Sequence, residues 1–159
     1  MNDKLNLTLN ISAILGTGLV AGVFLAFSSF IMEALERVPP PAGMAVMQEI
    51  NITVITPLFM IILFGTAIVC MLLGIDAFRG GFDRHNLLLL VAMAFYALGV
   101  IGVTLICNVP LNDELAAASP MQETGIALWS RYLTNWTFWN TVRGLASCAA
   151  CALFAFALC

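Results

Sequence analysis

The sequence predicts an all-α fold, a transmembrane antiparallel four-helix bundle, and two observations carry that prediction. The first is composition. Of 159 residues, 62% are hydrophobic and 9% charged, where a soluble domain carries about 25% charged residues. The mean hydropathy is +1.01. A water-soluble fold of this length has too little interior to hide so much apolar surface, so lipid must solvate part of it. The second is the form of the apolar runs. In hydrocarbon every backbone polar group must be satisfied internally, which leaves helices and closed barrels. Barrel strands read as alternating segments of about 10 residues; this chain has long unbroken runs instead.

Four runs approach the ~20 residues that a spanning helix needs. They cover approximately 9–32, 53–75, 87–107 and 138–159, in a single membrane domain. The first, Leu9–Met32, is too long for the apolar region of a cleaved signal, which is about 7–15 residues, although Ala26-Phe27-Ser28 mimics a cleavage site. Pro39-Pro40-Pro41 then breaks the chain. A helix is expected to restart at Pro41 and to run through Met44, Gln48 and Asn51 into the second span. Pro57 sits near that span's start, where a missing N–H costs little. Gly80-Gly81 turns the chain toward the third span. The longest connection is Asn108–Thr137. Within it Ser119-Pro120-Met121-Gln122 has the form of a helix start, with Ser as N-cap and Pro in the first position. A helix beginning there would continue into the fourth span and protrude from the membrane. Gly18-x-x-x-Gly22 and Gly99-x-x-Gly102 would allow close helix contact.

Several function classes fall away. The net charge of −3 and the lack of a basic patch exclude nucleic acid. One histidine and scattered methionines do not make a metal or haem site. Cys148-x-x-Cys151 has the spacing of a redox pair, but it lies within an apolar span without a nearby charge and reads as packing. Lys4, Arg79 and Arg84 fall on one side of the membrane; Arg37 and Arg131 fall on the other, with Arg143 just inside. That thin excess puts both termini in the cytoplasm of a multi-pass cell-membrane protein, in bacteria the inner membrane.

Antiparallel connectivity gathers the polar residues of the spans at one membrane face. That face collects Ser28, Ser29 and Glu33 from the first helix and Gln48 and Asn51 from the second. Asn108 and Asn112 come from the third, and Asn140 and Arg143 from the fourth. At about 100° per residue, Trp129, Tyr132, Trp136, Asn140 and Arg143 share an arc of roughly 80° on the last helix. An arginine inside hydrocarbon costs about 2.5–3.5 kcal/mol at mid-helix and normally faces the bundle interior with a partner. Glu33 is the expected acidic partner, with Asn108 and Asn51 as the neutral ones. Two readings stand side by side here. The tryptophans would be an interfacial belt, Asn140 helix–helix glue and Arg143 a snorkelling cation. Or the stripe lines a ligand site.

Three stretches resemble the anthrone-oxygenase-like family of small four-helix membrane proteins, most of whose bacterial members have no assigned function. They are Gly22-Val23-Phe24-Leu25-Ala26-Phe27-Ser28-Ser29-Phe30-Ile31-Met32 continuing to Met47-Gln48-Glu49-Ile50-Asn51, then Asn108-Val109-Pro110-Leu111-Asn112, then Trp129-x-x-Tyr132-x-x-x-Trp136-x-x-Trp139-Asn140-x-x-Arg143. The resemblance implies oxidation of an anthrone to an anthraquinone with dioxygen, without metal or flavin, so no cofactor is expected. On that implication Arg143, Asn140 and Asn108 would stabilise an enolate oxygen, and Trp129, Tyr132 and Trp136 would hold the flat rings. Asn51, Gln48 and Asn112 would complete the substrate site. Glu33 as the catalytic base is a reading of this sequence, not of the family. The rival reading is a non-catalytic membrane protein that binds a quinone, a lipid or a partner subunit. The expected partners are therefore the bilayer and a small aromatic or quinone-like ligand, with a homo-oligomer left open.

Overall fold

The structure is a computed structural model that describes residues 3–159. Among the described residues it contains five helices and no strand: α1 (Lys4–Arg37), α2 (Pro40–Thr53), α3 (Pro57–Gly80), α4 (Arg84–Ala117) and α5 (Glu123–Ala157). All but α2 are long and apolar enough to cross a membrane. Their outer faces carry large apolar side chains open to the surroundings, among them Leu58, Ile61, Ile68, Leu98 and Leu145. This is a multi-pass membrane protein.

The helices run longer than the apolar segments. At about 1.5 Å per residue, the 35 residues of α5 extend well beyond a ~30 Å hydrocarbon core. The excess of α1, α4 and α5 lies at the end of the bundle that α2 covers. There Met44 and Met47 of α2 pack with Met32, Leu115, Trp129 and Tyr132 into a buried cluster outside the main core. The Gln48 amide donates to the carbonyls of Leu115 and Ala118 at 2.7 and 3.0 Å, satisfying acceptors that the end of α4 leaves open. Gln48 is thus a clasp between α2 and α4.

Three expected boundaries differ from the structure. The helix through Gln48 and Asn51 does not continue into the second span: it stops at Thr53, and α3 begins at Pro57. Proline disfavours helical backbone in the residue before it. Thr56 is accordingly extended, and its hydroxyl accepts from Phe59 N at 3.2 Å. The third span does not end at Cys107. The chain widens into π-helical turns over Phe95–Gly102 and Thr104–Asn108, where Val109 N donates to Thr104 O. It then carries on through Pro110 to Ala117. A proline ring clashes with the carbonyl one α-turn back, and the wider turn makes room for it. Finally, Ser119 does not cap α5. Ser119–Gln122 forms a turn closed by Gln122 N on Ser119 O at 3.3 Å, and the helix starts at Glu123. Gly125 belongs there, because a Cβ would collide with the Ser119 carbonyl.

In the bundle α1 packs on α3 and α5, and α4 packs on the same two. The pairs are antiparallel. Along α1/α5, Asn140 meets Ser28, Ser147 donates to Thr17 O and Cys151 to Ile14 O. Between α3 and α4, Tyr96 donates to Leu63 O at 3.0 Å. The core holds Val20, Phe24, Leu73, Tyr96, Val100, Ala150 and Phe154. At the far end His85 donates its Nδ1 proton to Ala157 O at 2.9 Å, tying the start of α4 to the end of α5. Cys151 packs as expected of an apolar span, and Cys148 is exposed.

Close helix approach is carried by glycines other than the Gly18-x-x-x-Gly22 pair. A Cβ on Gly99 would sit 2.5 Å from the Ala146 Cβ, whereas one on Gly22 would meet nothing within 4 Å. Gly99→Leu is therefore expected to destabilise the detergent-solubilised protein by about 1–3 kcal/mol, and Gly22→Leu to leave it unchanged. Thermal unfolding followed by circular dichroism reads both.

Candidate functional site

The polar face foreseen for the last helix is buried. Trp129, Tyr132, Trp136, Asn140, Arg143 and Ser147 all point inward from α5. Arg143 is 6% exposed, so it does not snorkel. Its Nη2 donates to Asn140 Oδ1 at 2.8 Å and its Nη1 to Thr104 Oγ1 at 3.2 Å. The guanidinium carbon lies 4.2 Å from the centre of the Phe24 ring and 5.5 Å from that of Trp136, a range in which a cation is attracted to the ring face.

Asn140 is held as firmly as the cation it contacts. Its Nδ2 donates to Phe24 O at 2.6 Å and to Ser28 Oγ at 2.7 Å. Thr141 Oγ1 lies 2.9 Å from the same Ser28 oxygen. Both amide protons are thus committed to α1, which leaves the carbonyl oxygen facing Arg143. This junction lies where α1 widens into a π-helical turn over Phe27–Ile31. Such turns occur frequently at functional sites.

A cavity of about 240 Å³ opens beside the guanidinium. That is somewhat below the ~300–1,000 Å³ of drug-sized sites and suits a small flat molecule. Its inner wall is Phe24, Phe27, Leu63, Trp136, Asn140 and Arg143, with Thr104, Asn51 and Asn112 as further polar lining. Its outer lining includes Ile55, Phe64 and Leu105, at 68%, 44% and 57% exposure. These are apolar residues on the outer surface of the bundle, so the mouth opens sideways between α3 and α4, beside the α2–α3 link. Arg143 Nε, Trp136 Nε1 and Asn108 Oδ1 are buried here without a hydrogen-bond partner. An unsatisfied buried polar group costs about 1–3 kcal/mol, and the packing around these three atoms closes each of them to water.

The other expected residues divide. Asn51 Nδ2 donates to Tyr132 Oη at 3.3 Å, and Tyr132 Oη donates to Asn112 Oδ1 at 2.8 Å. The two asparagines are on the cavity wall and the tyrosine stands behind them. Trp129, Tyr132 and Trp136 stack on one another, with centroids 5.7 and 5.8 Å apart and rings within 19° of parallel. A ligand ring has no room between them, and of the three only Trp136 faces the cavity. Asn108 is buried and donates to Trp136 O at 3.2 Å, which steadies that ring's backbone. Gln48 is the clasp described above. Glu33 is not brought to Arg143: it pairs with Arg37 one turn away, on the outside of the bundle. It lines a separate surface groove with Glu36, Thr134 and Thr137. The expectation of a Glu33–Arg143 pair is thus corrected. The spacing Glu33-x-x-x-Arg37 carried the signal, because residues four apart on a helix are neighbours.

Sequence reasoning missed Thr104, Phe24 and Phe27. Thr104 lies one turn before Asn108 in an otherwise apolar stretch, and that position was a legible cue. Phe24 acts through its backbone carbonyl and its ring face, for which no residue pattern exists. No group of three His, Cys, Asp or Glu side chains able to hold a metal occurs among the described residues.

Residues 52–153 match the family described as Anthrone oxygenase. No curated protein and no solved structure matches the chain. The matched segment spans α3, α4 and most of α5 and includes Thr104, Asn112, Trp136, Asn140 and Arg143; the contributions of α1 and α2 to the cavity precede it. It covers well over half of the 159 residues, and the chain belongs to the anthrone oxygenase family.

Proposed function

We propose that the chain oxidises a small aromatic substrate of the anthrone or phenol type with dioxygen in the Arg143 cavity. The observation that carries this reading is a buried guanidinium beside an aromatic wall, in a cavity whose outer rim is exposed and apolar. A ring compound that partitions into the bilayer surface reaches such a mouth from the membrane side, as does dioxygen.

For an anthrone the chemistry balances with dioxygen alone. The ring methylene loses a proton and the molecule becomes an enolate. The enolate passes one electron to dioxygen, and the two radicals combine to a peroxide at the former methylene carbon. The O–O bond then breaks as the second methylene hydrogen leaves, one oxygen remaining as the new carbonyl and the other departing as water. Arg143 acts on the enolate oxygen: donors fixed before reaction stabilise developing charge without reorganising. Asn140 keeps the guanidinium in place through its own ties to Phe24 O and Ser28, and is a positioning residue. Trp136, Phe24 and Phe27 form the flat apolar wall. We place the protein in the bacterial inner membrane with both termini in the cytoplasm, on the balance of Lys and Arg between its two faces.

A second reading is favoured by the amides. Asn51 on α2 and Asn112 on α4 add donors from helices other than that of Arg143, so a quinone with two carbonyls would also find partners. Turnover separates the two readings.

In membranes, Arg143→Met is expected to lower anthrone oxidation by about 10²–10³-fold, followed by the absorbance of the anthraquinone. Undiminished turnover at equal protein level would refute the assignment. Glu33→Gln is expected to change turnover by less than about twofold, since that carboxylate lies outside the cavity. A collapse of activity in this variant would restore it as the base.

A further inference from the structure

Arg143 is buried with neutral company only. Its two hydrogen bonds go to an amide and a hydroxyl oxygen, and its Nε has none. The polar residues lining the cavity are Asn51, Thr104, Asn112 and Asn140, and among the described residues no carboxylate lines it. Two acids near that end of the bundle are engaged elsewhere: Glu33 holds Arg37 and Glu114 holds Arg131, both at the exposed surface. A buried cation without a counter-ion is unfavourable, and cation–π contact with Phe24 and Trp136 offsets part of that. The remaining deficit is one negative charge, at an arginine that lines an open cavity.

We propose that the missing charge comes with the ligand: the cavity takes aromatic enols and phenols as their anions, and the chain supplies no base there. The proposal rests on the reading of this cavity as the substrate site. The flat walls of Phe24, Phe27 and Trp136 select rings over strongly hydrated inorganic anions, which lose too much solvation on entering an apolar cavity. The guanidinium selects the ionised form, because hydrogen bonds to charged groups are the stronger ones. The ligand therefore arrives with its acidic proton already lost to water or to the membrane surface. The substrate class narrows to ring compounds acidic enough to ionise before entry.

Equilibrium dialysis of the full chain in nanodiscs tests this, with empty nanodiscs as the partition control. The probes are 2-hydroxy-1,4-naphthoquinone, which is ionised at neutral pH, and 2-methyl-1,4-naphthoquinone, which is neutral and of nearly the same size. The hydroxy compound is expected to bind at least about tenfold more tightly. The preference is expected to survive in Arg143→Lys and to vanish in Arg143→Met. Equal binding of the two quinones by the unmodified protein overturns the proposal, whether or not either variant folds. Displacement of the hydroxy compound by an equal concentration of laurate also overturns it, since the site would then be one for lipid carboxylates. Oxidation that depends on Arg143 with no preference between the probes sinks this inference and leaves the oxygenase reading standing. A preference for the anion without any anthrone turnover does the reverse.

Discussion

The structure turns on one buried cation. A guanidinium in hydrocarbon is costly, and this chain keeps Arg143 inside by fixing the oxygen of Asn140 in front of it. That oxygen is fixed because both amide protons are spent on α1, at Phe24 O and Ser28 Oγ. The contact that shelters the charge thereby sets the register of α1 against α5. Ser147 and Cys151 continue the same seam toward the other end, each donating to an α1 carbonyl. The polar interactions of this seam are directional in a way that apolar packing between lipid-exposed helices is not.

Backbone irregularity then makes the space. Two of the helices that meet Arg143 leave regular α geometry at its level: α1 over Phe27–Ile31 and α4 over Thr104–Asn108. The chain also breaks between α2 and α3, where Val54 and Ile55 join the cavity lining. Proline accounts for two of these departures, Pro110 after the turn in α4 and Pro57 at the start of α3. The turn in α1 has no proline near it; it coincides with the side-chain bonds that Asn140 and Thr141 make to Ser28. The result is a void between helices, walled by rings and open to the lipid side.

Much of this was legible in the sequence, and the reasons are physical. Run length against bilayer thickness identified the four spans, and the helical arc from Trp129 to Arg143 identified one face of the last helix, leaving open whether it was an interfacial belt or an inward site. Both rest on periodicity, which a single sequence carries in full. Helix ends were read less well. Ser119-Pro120 looks like a cap but serves a turn, because the capping signature does not say which residue the helix proper begins on. The third span was expected to stop at Cys107 with its apolar run, because the widened turn that carries the helix past Pro110 has no residue pattern. The role of the aromatic ladder also depended on packing. Trp129 and Tyr132 are at the right angle to line a site, yet they fill the space with each other. Glu33 was drawn toward Arg143 by membrane depth alone, and its nearer partner Arg37 wins on distance.

The most direct measurement of the central claim is an experimental structure of the protein in a lipid mesophase with 1,8-dihydroxyanthraquinone bound. The account predicts the ring lying on Trp136 and Phe24, with an oxygen within about 3.2 Å of an Arg143 nitrogen. Arg143 extended toward the lipid head groups, with the quinone bound elsewhere, would contradict it.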